Sequence, residues 1–147
     1  MSWANIRTQL KTILQGVPGI GTVHDYQRWE IEADTFTTLF VSQGRIHTWM
    51  ITRDSSLEEE RAQKQHYRRH QVRIIGLYAL DDSDATEKTF SDLLEAICNT
   101  LRSNLTLNGA AESASPPQVR RDDHARFAGV LCHFGEITLE AREDVTF

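Results

Sequence analysis

A chain of 147 residues and 16.8 kDa is one domain's worth of protein, and a fold of that size removes roughly 70% of its unfolded surface from water, enough for a core without metals or disulfides. Apolar residues at 39% and charged residues at 25% exclude a disordered tail, a collagenous chain and a coiled-coil rod. The net charge of −5 argues against a general nucleic-acid binder, and no uncharged apolar stretch approaches the run of about 20 residues that a membrane helix needs.

The opening Met1-Ser2-Trp3-Ala4-Asn5-Ile6-Arg7 lacks the basic-then-apolar layout of a signal peptide, so folding in a cytoplasm is expected. Cys98 and Cys132 are then expected to be reduced thiols. Trp3, Ile6, Leu10, Ile13, Leu14 and Val17 fall on one stripe of an amphipathic helix, with Ser2 as its N-cap. Val17-Pro18-Gly19-Ile20-Gly21 breaks it, and Thr22-Val23-His24-Asp25-Tyr26 reads as a short strand. Between Trp29 and Gly44 the pattern is weaker; Phe36, Leu39 and Phe40 predict a short helix ended by Gly44.

Arg45–Arg53 and His70–Leu80 are rich in β-branched and aromatic residues and read as strands, the second of them central. The polar stretch Asp54–Arg69 between them is expected to be a long connection. Asp84 and Glu87 have the spacing of a capping box, opening a helix whose apolar stripe is Phe90, Leu93, Leu94, Ile97, Cys98 and Leu101. A Ser/Asn/Gly/Pro-rich loop over 103–117 precedes two further strands, Gln118–Arg121 and Phe127–Glu143, with Gly135 as a candidate bulge. The expected fold is α+β: a mainly antiparallel sheet with two main helices packed on one face, residues 1–147 forming a single domain from which a long charged arm, 54–69, projects.

Catalytic patterns are weak. Gly16, Gly19 and Gly21 follow a helix and precede a strand, the wrong context for a phosphate cradle. His66 and His70 would share a helix face, but on a strand they stand roughly 13 Å apart, too far for one ion. Cys132 and His133 are strand neighbours, so their side chains point to opposite faces and cannot act as nucleophile and base. Cys98 sits on a core stripe. No enzyme, cofactor or metal site is assigned.

The charge is unevenly distributed. Residues 1–60 hold 5 basic and 8 acidic side chains and residues 74–147 hold 6 and 13, whereas Arg61–Arg73 holds five Lys/Arg, two His and no acid. The arm thus passes from Glu58-Glu59-Glu60 to Arg61, Lys64, Tyr67, Arg68 and Arg69, which are the candidate partner-contact residues. With few apolar side chains, the arm is expected to serve assembly rather than folding, and reversing Arg68 and Arg69 to Glu is expected to leave the monomer folded.

Several stretches, in this order and spacing, resemble the small tail-terminator, or tail-completion, neck proteins of tailed bacteriophages and prophages. They are the opening helix closed by Val17-Pro18-Gly19-Ile20-Gly21 with Val23-His24-Asp25-Tyr26; Gly44–Arg53; Gly76-Leu77-Tyr78-Ala79-Leu80-Asp81-Asp82; and Pro116-Pro117-Gln118-Val119 followed by Gly129-Val130-Leu131-Cys132-His133. The resemblance spans nearly the whole chain and implies an architectural virion protein with no turnover. It implies a homo-oligomeric ring, in the family usually a hexamer, assembled in the bacterial host. Such a ring caps the tail tube, presents a surface to the head–tail connector, touches the tail sheath where one exists, and lets DNA pass without specific binding. No membrane contact is implied. The alternative is a small nucleic-acid-binding module that uses segment 61–73 for phosphates, with Tyr67, Trp49 and His70 for stacking.

Overall fold

The computed structural model describes residues 1–28 and 33–146, with the backbone alone at 33 and 34. Trp29 lies outside the described residues. In chain order the elements are α1 (Trp3–Gln15), β1 (Thr22–His24), α2 (Ala33–Phe40), β2 (Val41–Ser42), β3 (Arg45–Ala62), β4 (Gln65–Ala79), α3 (Thr86–Arg102), β5 (Ser113–Ala114), β6 (Gln118–Phe127) and β7 (Val130–Thr146). The fold is mixed α+β, a curled sheet with three helices among the described residues. The sheet runs β1-β3-β4-β7-β5, with β2 also on β3 and β6 also on β7. Only β1 on β3 is parallel among these pairs.

Ser2 caps α1 as its sequence predicts, its Oγ accepting from Asn5 N–H at 3.1 Å. The capping box expected for α3 does not form. Ala85 takes the N-cap position with a left-handed backbone and no side-chain cap, while Asp82–Asp84 form a 3-10 turn capped by Asp81. Asp84 is drawn away by Arg45, whose Nη2 donates to Asp84 Oδ2 at 2.6 Å.

Strand alternation divides the apolar residues into two cores. Trp49 and Ile51 of β3, Val72 and Ile74 of β4, and Ile137, Leu139 and Ala141 of β7 join the stripes of α1 and α3 in the larger one. Ile46, Met50, Leu77 and Cys132 gather with Phe40 in the smaller one, packed by Phe36 and Leu39 of α2 and by Phe127 and Phe134. Cys132 and His133 do face opposite ways: the thiol enters the smaller core, while His133 Nε2 lies 2.8 Å from Thr86 Oγ1 at the start of α3.

Two glycines shape the larger core. Gly76 and Gly135 oppose each other in the β4–β7 register, and Gly76 also opposes Trp49. The missing side chain of Gly76 makes room for the Trp49 ring and that of Gly135 for Phe90 and Leu94, and the Trp49 and Phe90 rings stack with centroids 5.6 Å apart. Gly135 is therefore not a bulge; β4–β7 pairing runs straight through it, and the irregularity lies in β6, between Val119 and Arg121. A Cβ on Gly76 would overlap the fully buried Trp49 ring. Gly76→Ala is expected to cost about 1–3 kcal/mol by overpacking. Thermal unfolding followed by near-ultraviolet circular dichroism should show a lower midpoint and an altered indole signal; an unchanged trace would mean the ring is not confined by this glycine.

The sequence boundaries fail most in two places, besides α2 stopping at Phe40 with β2 before Gly44 and β5 lying within the expected 103–117 loop. The stretch 54–69 is not a connection between strands: β3 continues to Ala62, β4 begins at Gln65, and Gln63–Lys64 alone make the turn. The final pair of strands is displaced from its expected bounds: β6 runs past Arg121 to Phe127, and after a turn at Ala128–Gly129 β7 spans Val130–Thr146, three residues further along than expected. The arm is thus a ribbon whose third strand is the outer half of β7.

Candidate functional site

The outer half of the β3–β4 hairpin carries every candidate contact residue, and the sheet register decides what each one meets. β3 brings acids against the bases of β4, and β7 adds a second set of acids. Glu58 lies opposite Arg68, which lies opposite Glu143; Leu57 opposite Arg69, opposite Arg142; Glu59 opposite Tyr67, opposite Asp144; and Glu60 opposite His66, opposite Val145.

Arg68 bridges its two neighbours, Nη2 donating to Glu58 Oε1 at 3.0 Å and Nη1 to Glu143 Oε1 at 2.9 Å. The bond from Arg68 holds the Glu58 carboxyl below the usual range. Arg69 pairs with Glu59 at 2.9 Å and lies 3.7 Å from Glu140. Tyr67 is flanked by two guanidiniums, Arg61 at 4.9 Å and Arg142 at 4.2 Å from its ring centre. Glu60 and Arg61 are exposed, and Lys64 stands at the turn with φ of 60°.

The basic run of the linear sequence is therefore largely neutralised by partners on adjacent strands. Arg73, at its end, pairs with Glu136 at 3.1 Å. Of the rings assigned to stacking in the nucleic-acid alternative, Trp49 and His70 are fully buried. Residues 132–146 likewise pair along β4.

Glu143 is the residue that sequence reasoning missed. Its side chain is 1% exposed, although it sits among charged neighbours near the end of the chain. Below it lies His70, 0% exposed, whose Nδ1 accepts from Arg53 Nη1 at 3.2 Å. The proton of the neutral ring is then on Nε2, 3.7 Å from Glu143 Oε1. Trp3 of α1 closes this cluster, its ring 5.5 Å from His70 and 5.3 Å from the Arg53 guanidinium. Burial holds the His70 pKa below its ordinary value against the pull of Glu143. The one available signal was the alternation of Ile137, Leu139 and Ala141, which places position 143 on the same inward face.

Elsewhere the chemistry is muted. A cleft of about 710 Å³ is lined by Gly16–Gly21, Arg45, His47, Tyr78 and Asp84, but its cation is already held by Asp84. Both cysteines are buried, and burial raises their thiols, Cys132 to about 11. Among the described residues no group of three or more His, Cys, Asp or Glu has a metal-binding arrangement, and no helix is long and apolar enough to cross a membrane. Comparison with known proteins finds no matching family model and no matching curated protein.

Proposed function

We propose that the chain is a structural subunit of a phage or prophage neck, a tail-terminator-like protein that assembles as a ring on the end of the tail tube. The observation that carries this reading is the hairpin. A ribbon of three long strands, exposed on β3 from Arg53 to Ala62, holds Glu58, Glu59, Arg68 and Arg69 in cross-strand pairs. Such a ribbon has the stiffness and the exposed backbone of an assembly element rather than the open cationic groove of a nucleic-acid binder. In this reading α1 and α3 are the two main helices and cover one face of the mainly antiparallel sheet, while α2 shields part of the other. The partners are further copies of the chain, the tube protein and the head–tail connector, with the sheath where the tail contracts. The ring is six-fold, as in the family that the sequence resembles.

The test is the mass of the purified protein in solution, alone and with its cognate tube protein. A closed ring, formed alone or only on the tube end, is expected. Single copies bound to assembled tubes would overturn the proposal, and steeply salt-dependent DNA binding would replace it with the nucleic-acid alternative.

A further inference from the structure

The sheet leaves two long strand edges open, at its opposite sides. Beyond the β1 contact at Thr48–Met50, β3 pairs with β4 alone, so Arg53–Ala62 has no strand on its other side among the described residues. β6 pairs with β7 alone and is likewise open along Gln118–Phe127. Nearly every residue of both stretches is exposed. Open edges of this length are templates for another strand unless something guards them.

We propose that the free edge of β3 in one copy pairs with the free edge of β6 in a second copy, continuing the sheet from subunit to subunit. The partner's identity rests on the ring reading; the pairing itself rests on the edges. Through the sheet, β3, β4, β7 and β6 alternate in direction, so β3 and β6 run antiparallel. A neighbour reached by rotation about an axis along the strands therefore offers β6 antiparallel to β3. Leu57 and Glu59 share a sheet face with Arg69 and Arg142; Arg61 sits in the register shift between Glu60 and Ala62, its guanidinium 4.9 Å over the Tyr67 ring on that face; and Asp123, Ala125 and Phe127 share that same face with Phe134. Registers that match these faces also oppose the outward N–H and C=O groups of the two edges.

Among those registers, one sets no like charges opposite each other from Leu57 to Arg61, Glu59 alone of the charged residues there meeting an uncharged one. Leu57, 61% exposed, falls opposite Phe127; Glu58 opposite Arg126; Glu59 opposite Ala125; Glu60 opposite His124; and Arg61 opposite Asp123. A slide of two residues one way sets Glu59 against Asp123, Glu60 against Asp122 and Arg61 against Arg121. The same slide the other way keeps one opposite-charge pair, Glu60 with Arg126. Pairing β3 with itself about its centre sets Glu58 against Glu60 and Glu59 against Glu59; pairing β6 with itself about Asp122 makes two Arg121–Asp123 pairs but sets Asp122 against Asp122 and Arg120 against His124 twice. Like charges directly opposite are destabilising, and opposite ones are worth roughly 0.2–1 kcal/mol each. The contact is heterologous, joining two different patches, which is the kind that generates a ring when the rotation closes.

Opposed Cα atoms in an antiparallel pair lie about 4.5–5.5 Å apart, within disulfide range. Two adjacent positions cover both spacings of the ladder: Glu59→Cys with Ala125→Cys, and Glu60→Cys with His124→Cys. Each single variant is purified, mixed with its counterpart under mild oxidation, and run on non-reducing gels beside mass measurement. A cross-linked dimer is expected in at least one mixture and in neither variant alone. A chain carrying both substitutions is expected to give a ladder. Arg126→Glu, at an exposed position, is expected to weaken self-association roughly tenfold, and adding Glu58→Arg to restore it. An oligomer by mass with no mixed cross-link overturns the edge pairing and leaves the ring reading standing. Cross-linking of Glu59→Cys with itself also overturns it, in favour of β3 against β3. A monomer under all conditions, bound singly to tubes, overturns both.

Discussion

Arg68→Glu is expected to lower stability by about 3–5 kcal/mol, while the neighbouring Arg69→Glu changes it by no more than about 1 kcal/mol. The two arginines are adjacent in sequence and both lie on β4, but their partners differ. Arg69 meets Glu59 and Glu140, whose side chains are 49% and 35% exposed, so water replaces the lost pair at little cost. Arg68 meets Glu143, 1% exposed, whose second oxygen has no hydrogen-bond partner. Removing the guanidinium strands that buried carboxylate, and a glutamate in its place adds a like charge beside it. For a domain whose whole stability is of the order of 5–15 kcal/mol this is a large fraction. The expectation drawn from composition alone, that both reversals leave the fold intact, is thus withdrawn for Arg68. Urea unfolding of Arg68→Ala, Glu143→Gln and the double variant gives the coupling directly: Glu143→Gln should rescue much of the loss in the Arg68→Ala background. Additive single effects, or equal losses at positions 68 and 69, would show that Glu143 does not depend on Arg68.

The contrast between Arg68 and Arg69 marks where the sequence is legible and where it is not. The stripes of α1 and α3 were readable because one partner, the core, imposes a single period on each helix. Arg45–Arg53 and His70–Leu80 were readable as strands because each meets a core on both faces, which fills them with β-branched and aromatic residues. The outer hairpin has no such period, because neither of its faces meets a continuous apolar core. Its order lies across strands instead: Glu58 makes sense only beside Arg68, and Arg68 only beside Glu143, ten and 75 residues away. A run of acids followed by a run of bases reads as a segregated surface in one dimension and as a paired ladder in three. Asp84 shows the same limit locally, since its capping spacing was present but Arg45, 39 residues away, takes the carboxylate. The candidate contact residues all lie on one hairpin. Their neutralisation by β7 and the burial of Glu143 were not visible without the register.

Acid should destabilise the fold well before its carboxylates titrate, between about pH 6.5 and 4, through histidines buried in neutral form. His24, His47, His70 and His133 are all buried, and burial is the main cause that lowers the pKa of each. Burial holds the His47 pKa down to about 4, with the nearby Arg45 cation adding to desolvation. Its ring is enclosed: Gly21 packs on it too closely to admit a Cβ, Tyr78 meets it edge-on at 4.5 Å, and Trp49 Nε1 donates to its Nε2 at 3.4 Å. A proton on Nε2 would remove that acceptor and place a second cation beside Arg45. Because the folded state holds these groups below the ordinary histidine value, the unfolded chain binds more protons as pH falls. The stability they contribute is therefore complete above about pH 6.5 and is lost on the way down to the folded values. For His47 alone the loss by pH 4 and below is on the order of 3 kcal/mol. Urea midpoints measured at steps from pH 7.5 to 4 should fall across this window. His47→Gln, which keeps an acceptor for Trp49, should start lower but fall less steeply. Ring-proton titration by NMR gives the direct check: an His47 midpoint near 6.5 in the folded protein, or an unchanged slope in His47→Gln, would remove this residue as a source of the acid sensitivity.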